Sequence, residues 1–221
     1  MSFITRAHLR QDAPAARNLA RLLLDQSQTD QGHRLVWTLF GDDPDAARDF
    51  LYRETEPGRF LVVSRRPPLA DTGIWVVETK PYAPAPPEGG AYAFSLRANP
   101  AASVARPGQR GLRVDAVMHA RTRKGEALTV EEKEAAALSW LYARADRLGV
   151  AFEAERCSAT GYRQVAVPRK GAQPARFAVA DYDGVLHVRD PKRLADALLA
   201  GVGKARAYGC GLLLLRPLPP V

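Results

Sequence analysis

Across 221 residues the chain is 46% hydrophobic, 25% charged and 8% aromatic, and its net charge is +8. That apolar content excludes a disordered chain, no apolar run approaches the roughly 20 residues that span a bilayer, and the opening MSFITRAHLR lacks the hydrophobic stretch of a secretory signal. Cys157 and Cys210 stand in unlike contexts without CxxC or histidine-rich spacing, which excludes a disulfide scaffold or zinc site and fits small packing residues in a reducing cytoplasm.

In chain order, SFITRAHL at 2–9 predicts an edge-like strand. A helix is expected over 15–24, with Leu19, Leu22 and Leu23 on one face, breaking at DQSQTDQG, where Ser27, Thr29 and Asp30 are N-cap types. A second short helix runs through HRLVWTLF, with Leu35 and Leu39, and Val36 and Phe40, paired at i,i+4. RDFLYRE and FLVVS read as strands of a hairpin around the turn Glu56-Pro57-Gly58-Arg59, and GIWVVETK as a further strand. PYAPAPPEGG, at 81–90, carries four prolines and excludes helix or central strand.

After it the pattern restarts. AYAFSLRAN reads as a strand and the basic stretch that follows as irregular. A helix opens on a capping box, Thr129 with Glu132, carries Leu138, Leu141 and Leu148, and stops at Gly149. RQVAVPR and ARFAVADY predict a hairpin joined by KGAQP, and GVLHVRD one more strand. Asp190 and Pro191 open a helix that Gly201 closes, and GLLLLRPL ends the chain as an unbroken apolar strand, expected at a central, doubly covered position. Each half thus reads strand, helix, hairpin, helix or turn, strand, the split-βαβ order. The fold class is α+β: two tandem ferredoxin-like domains, 1–81 and 91–221, joined by a proline-rich linker at 82–90.

The charge is divided unevenly. Residues 1–96 hold 11 basic and 12 acidic side chains, and the remainder holds 21 and 12. An excess confined to one half points to a polyanionic partner, nucleic acid before membrane, because Lys and Arg neutralise phosphates and release counterions. Few aromatics lie among the basic residues, which disfavours a stacking platform for single strands and suits an A-form hairpin read by shape and backbone. The basic clusters are Arg106, Arg110 and Arg113, then Arg121, Arg123 and Lys124.

The stretch GVGKARAYGCG follows a helix and opens a strand, the reverse of the order in Rossmann and Walker loops, so no nucleotide cofactor is expected there. It is either a tight glycine turn or an RNA-backbone contact with Lys204 and Arg206 as phosphate partners. Of the histidines, His8, His119 and His187 read as surface or packing residues. His33 differs: it lies in the first turn of a short helix, four residues before Trp37. The positive end of the helix favours a neutral imidazole, which can act as a general base; on spacing alone a structural role is favoured.

The ending GVGKARAYGCGLLLL resembles the glycine-rich C-terminal loop of the repeat-associated (RAMP) RNA-binding proteins of CRISPR systems. HRLVWTLFGDDPDAARDFLYR at 33–53, FSLRANP at 94–100 and LSWL at 138–141 narrow the resemblance to the repeat-processing endoribonucleases of type I-E Cascade complexes, over essentially the whole chain. The resemblance implies that His33 is catalytic in metal-independent cleavage of a CRISPR repeat RNA hairpin, from precursor to mature guide RNA. It also implies association with other Cascade subunits and no membrane. RQVAVPRKGAQPARF matches the family's basic hairpin, which makes Arg163, Arg169, Lys170 and Arg176 stem contacts. One position departs from the pattern: Asp30 stands where members often carry a tyrosine three residues before the histidine. An ionised aspartate can cap the helix or orient His33 but cannot donate like a phenol, so Asp30, Thr29 and Arg34 are all candidates for a second catalytic group. Two rivals remain: a non-catalytic hairpin-binding subunit of the same fold, and a basic binding module without RNA specificity.

Overall fold

The structure, a computed structural model, describes residues 1–10, 12, 14, 18, 31–41, 47–69, 72–106, 109–169 and 172–219; within these ranges the side chains of 31, 105, 106, 109–111, 169 and 172 are outside the description. The expected helix at 15–24 therefore lies outside the described residues except at residue 18, which is helical, and Asp30 and Thr29 lie outside them too.

Among the described residues, the first half holds β1 (Phe3–Leu9), α1 (Gln31–Trp37) running into a tighter turn at Thr38–Phe40, β2 (Phe50–Glu56), β3 (Arg59–Ser64) and β4 (Trp75–Pro81). Its sheet has the order β2-β3-β1-β4 with every pair antiparallel, which is the ferredoxin-like arrangement. β1 is thus an inner strand and not an edge. Its polar alternation, Arg6 and His8, marks the exposed face of the sheet, while buried Thr5 shares a hydrogen bond with Thr79 (Oγ1 to Oγ1, 3.0 Å) and Ala7 enters the core.

The second half repeats the plan on a larger scale. Its elements are β5 (Ala91–Ala98), β6 (Ala101–Arg106), β7 (Gln109–Asp115), α2 (Ala116–Lys124), α3 (Val130–Tyr142), α4 (Ala145–Leu148), β8 (Val150–Phe152), β9 (Ser158–Arg169), β10 (Ala172–Val188), α5 (Pro191–Ala200) and β11 (Leu213–Pro217). The sheet order is β11-β5-β10-β8, with β9 also on β10. The capping box at Thr129 and Glu132 is formed, and Asp190 Oδ1 accepts from the Arg193 amide at 3.0 Å with Pro191 in the first turn.

Three expectations change here. The basic stretch after β5 is not irregular: it is the hairpin β6–β7 and then α2, capped by Asp115 Oδ1 accepting from the Met118 amide at 2.8 Å. α2 is legible only by its cap, because its sequence AVMHARTRK offers little apolar face. GVLHVRD is not a separate strand but the end of β10, which runs unbroken for 17 residues. β5 joins β10 only from Ala180 onward, so the hairpin of β9 with 172–179 projects past the sheet.

The third change concerns β11, which sits at the sheet's edge beside β5. Its apolar run is nonetheless covered twice. Leu213 and Leu215 pack into the core of the second half, while Leu212 and Leu214 pack against Leu51, Val63, Leu61 and Ile4 of the first. The same period of two divides the first half. Phe50, Tyr52, Phe60 and Val62 face α1, and Leu51, Leu61 and Val63 face the second half. The two halves therefore share a buried apolar seam with β2 on one side and β11 on the other.

Candidate active site and basic face

α1 lies on the aromatic face of β2. Gly32 permits the close approach, since a Cβ there would stand 3.1 Å from the Tyr52 ring. His33, the next residue, is half-buried, with ring centroids 6.0 Å from Phe50 and 6.5 Å from a nearly parallel Tyr52. One turn on, the Trp37 indole N–H donates to His33 Nε2 at 2.9 Å, with Trp37 packed edge-on against Phe50. Below them, Phe40 stacks on Phe50 at 5.0 Å, and Trp75 Nε1 donates to Thr38 Oγ1 at 2.7 Å. The imidazole is thus held in an aromatic layer while still meeting the surface.

Tyr52 ties this layer to the glycine-rich loop. Its hydroxyl donates to the Ala207 carbonyl at 3.1 Å, and Gly209, at φ +75°, leaves only 3.3 Å between a Cβ and the Tyr52 ring. Tyr52 is therefore a pillar between Gly32 of α1 and Gly209 of the loop. Gly211 makes the other close approach: at φ +92°, a Cβ would meet the Val202 carbonyl at 2.8 Å. The Arg206 guanidinium is turned into the loop, where Nε donates to Gly203 O and Nη2 to Gly201 O, both at 3.1 Å. The tight turn is what the structure shows: backbone packs closely and the Arg206 guanidinium, expected as a phosphate partner, braces the loop's own carbonyls, while Lys204 is exposed beside it.

The charges around the seam are mostly positive. Arg48, just before β2, donates to Phe50 O at 3.3 Å. Burial and then nearby Arg206 pull its pKa down, which marks a region where two guanidinia lie close together. Deeper in the seam, Arg97 grips Asp181 with two bonds of 2.8 and 3.1 Å, and Arg53 reaches from β2 to Ser95 Oγ at 2.7 Å. Arg53 also lies 3.8 Å from Asp181. Arg53 of the first half is thus tied to Ser95 and Asp181 of the second, beside the apolar seam.

The basic residues expected to grip RNA separate into groups. On β9 and β10, successive side chains alternate between faces. Arg176, on one face of the hairpin, lines a groove of about 540 Å³ with Arg121, Gln164 and Met118, closed below by Asp115. Arg163 lies on the opposite face, exposed, its Nη1 donating to Gly161 O at 3.2 Å. Arg113 and Arg123 are exposed on β7 and α2. Lys124 is drawn instead to Glu132 (2.7 Å) and Glu126 (3.1 Å), which raise its pKa and neutralise its charge locally. Arg106, Arg110, Arg169 and Lys170 lie outside the described side chains. Sequence reading used Trp37 only as a landmark for His33 and missed Tyr52, Arg48 and the stack of Phe177 on Tyr208 (4.8 Å), which joins the hairpin to the glycine loop. Of those missed, only Tyr52 carried a signal, its alternation with Phe50.

Both cysteines are reduced. Burial raises both thiols, Cys210 to about 12. The fold is that of the RAMP proteins, two ferredoxin-like halves closed around a glycine-rich loop. The chain belongs to the CRISPR-associated protein family, which it matches over residues 2–217, and within it is of the CasE type. It is 31% identical over 193 residues to the CRISPR system Cascade subunit CasE of Escherichia coli strain K12, spanning 85% of this chain and 92% of that protein. Among solved structures it is similar to Thermus thermophilus Cse3 bound to an RNA representing a pre-cleavage complex, with a TM-score of 0.68, 27% identity and 98% and 99% of the two chains covered. The CRISPR-associated protein Cas6e from E. coli K-12 shares the fold, with a TM-score of 0.61, 21% identity and 98% and 100% coverage.

Proposed function

We propose that the chain is an endoribonuclease that cuts the hairpin of a CRISPR repeat in precursor RNA without a metal ion. The observation that carries this is His33 in its aromatic layer, half-exposed beside the glycine loop, in a chain that matches an RNA-bound Cse3 along nearly its full length. The neutral imidazole takes the proton of the 2′-hydroxyl before the scissile bond. The 2′-oxygen attacks the adjacent phosphorus in line, the bond from phosphorus to the 5′-oxygen breaks, and that oxygen takes a proton from water as it leaves. The products are a 2′,3′-cyclic phosphate and a 5′-hydroxyl.

Asp30, three residues before His33, orients the imidazole in this scheme. Arg48 and Lys204 supply positive charge where the phosphorane develops negative charge. Residues 1–81 carry the chemistry, 82–90 link the halves, and 91–221 hold the stem through Arg121, Arg176, Arg163 and their neighbours. The product guide RNA stays bound with other Cascade subunits in the cytoplasm; among the described residues no helix is long and apolar enough to cross a membrane.

One observation, aspartate at position 30, favours a second reading in which the same fold holds the hairpin without cutting it. Incubating the protein with its host's repeat hairpin in EDTA separates the two. The nuclease reading expects cleavage by wild type, none by His33→Ala, and none of an RNA carrying a single 2′-deoxy nucleotide at the cut. Tight binding with no cleavage supports the holding subunit.

A further inference from the structure

A base must carry a lone pair where its proton will arrive, and one hydrogen bond at the site fixes where that is. Trp37 Nε1 donates to His33 Nε2 at 2.9 Å. An indole nitrogen has no acceptor capacity, so Nε2 is the unprotonated nitrogen and the ring proton sits on Nδ1. The spacing of four residues puts both rings on one face of α1. Phe50 then fixes their mutual orientation, 5.2 Å from Trp37 and 6.0 Å from His33.

We infer that Trp37 is a positioning residue: it holds His33 as the neutral Nδ1–H tautomer in the RNA-free protein, and RNA must displace the indole from Nε2 before His33 can accept a proton. The first clause stands on geometry alone, and the second rests on the reading of His33 as the base. In this tautomer the lone pair on Nε2 is the one a 2′-hydroxyl proton must reach, and the indole N–H already occupies it. Once that proton is transferred, Nε2 carries hydrogen and the indole cannot return, because two N–H groups would face each other. The indole therefore opposes protonation of the free site and competes with RNA for a single atom.

Among the described residues, the charged groups on the elements packed around His33 are Arg34 on α1, Arg48 before β2 and Arg206 in the glycine loop, with Asp49 taken by Arg66 at 3.4 Å; Asp30, which the proposed scheme sets beside the imidazole, lies outside them and is the same in wild type and Trp37→Phe. Tyr52 faces the ring with its hydroxyl directed to Ala207 O. The cations also oppose an imidazolium, but Trp37→Phe leaves them in place and removes the N–H with its five-membered ring, keeping a six-membered aromatic ring.

The test is a pH titration of ¹⁵N-labelled histidine by NMR, on wild type and Trp37→Phe without RNA. Wild-type His33 is expected as the Nδ1–H tautomer. In Trp37→Phe its titration should move up by about half to one pH unit, the worth of one neutral hydrogen bond, with the tautomer shifting towards Nε2–H. In single-turnover cleavage at sub-saturating protein, where the rate reports protonation of the free site, the acid limb should move to higher pH by the same amount. An Nε2–H tautomer in wild type, or identical titrations in the two proteins, overturns the inference. If Trp37→Phe does not fold, the wild-type tautomer decides alone. The titration needs no RNA, so its outcome is independent of whether His33→Ala still cuts.

Discussion

The two halves share one topology and differ in what they build on it. The second half closes its own core, with Leu96, Tyr182, Leu186 and Leu194 fully buried under capped helices, and then projects a basic hairpin beyond its sheet. The first half lays a seven-residue helix on an aromatic sheet and completes its site with a loop from the other end of the chain, through Tyr52 and Ala207. Charge follows the same division, near neutral in residues 1–96 and strongly positive after them. Grip can be built on one half with its own core, whereas a reactive imidazole needs neighbours fixed from several directions. Those neighbours come from both halves.

Breaking the pillar should have the largest effect. Tyr52→Ala removes the ring that both Gly32 and Gly209 touch and is expected to cost roughly 3–5 kcal/mol in denaturant unfolding. Tyr52→Phe keeps the ring, removes the hydroxyl that bonds Ala207 and should cost about 1 kcal/mol. A drop of only about 1 kcal/mol for both would show that the halves do not depend on this pillar. Gly209→Ala sharpens the same point from the loop side, because a left-handed φ and a tight approach to Tyr52 together should cost about 1–2 kcal/mol.

On the basic face the effect should appear in binding, not in folding. Replacing Arg121 and Arg176 together by Ala is expected to flatten the salt dependence of hairpin affinity, by about one unit of slope for each phosphate that the variant no longer neutralises. Unfolding should move by no more than about 0.5 kcal/mol. An unchanged salt slope would remove the groove from the RNA interface. The smallest effect concerns the thiols. Cys157 and Cys210 are both raised by burial, so neither should react appreciably with a disulfide reagent at pH 8 until the protein unfolds.

The ferredoxin-like order of both halves was legible because it rests on local signals: the caps at Thr129 and Asp190, the turn at Gly58 and the alternation in FLYR and FLVV. β11 was misplaced because an unbroken apolar run reads the same whether a strand lies between two neighbours in a sheet or between two cores at its edge. α2 was missed because its face is basic, not apolar. At the site, His33 could be singled out from its position before Trp37, but not the bond between the two side chains. The Tyr52 bond to the loop joins residues 155 positions apart, and no periodicity carries information over that distance. Arg206 stood out as a cation near glycines; only the fold shows its guanidinium committed to carbonyls.

The division between grip and chemistry is tested most directly by measuring hairpin affinity and single-turnover cleavage at saturating protein, side by side, for His33→Ala and for the Arg121, Arg176 double replacement. The expected result is a crossed pattern: His33→Ala binds as wild type does and does not cut, while the arginine variant binds weakly but, once saturated, cuts at close to the wild-type rate. A fall in affinity in His33→Ala as large as its fall in rate, or a cleavage defect in the arginine variant that saturation cannot restore, would contradict it.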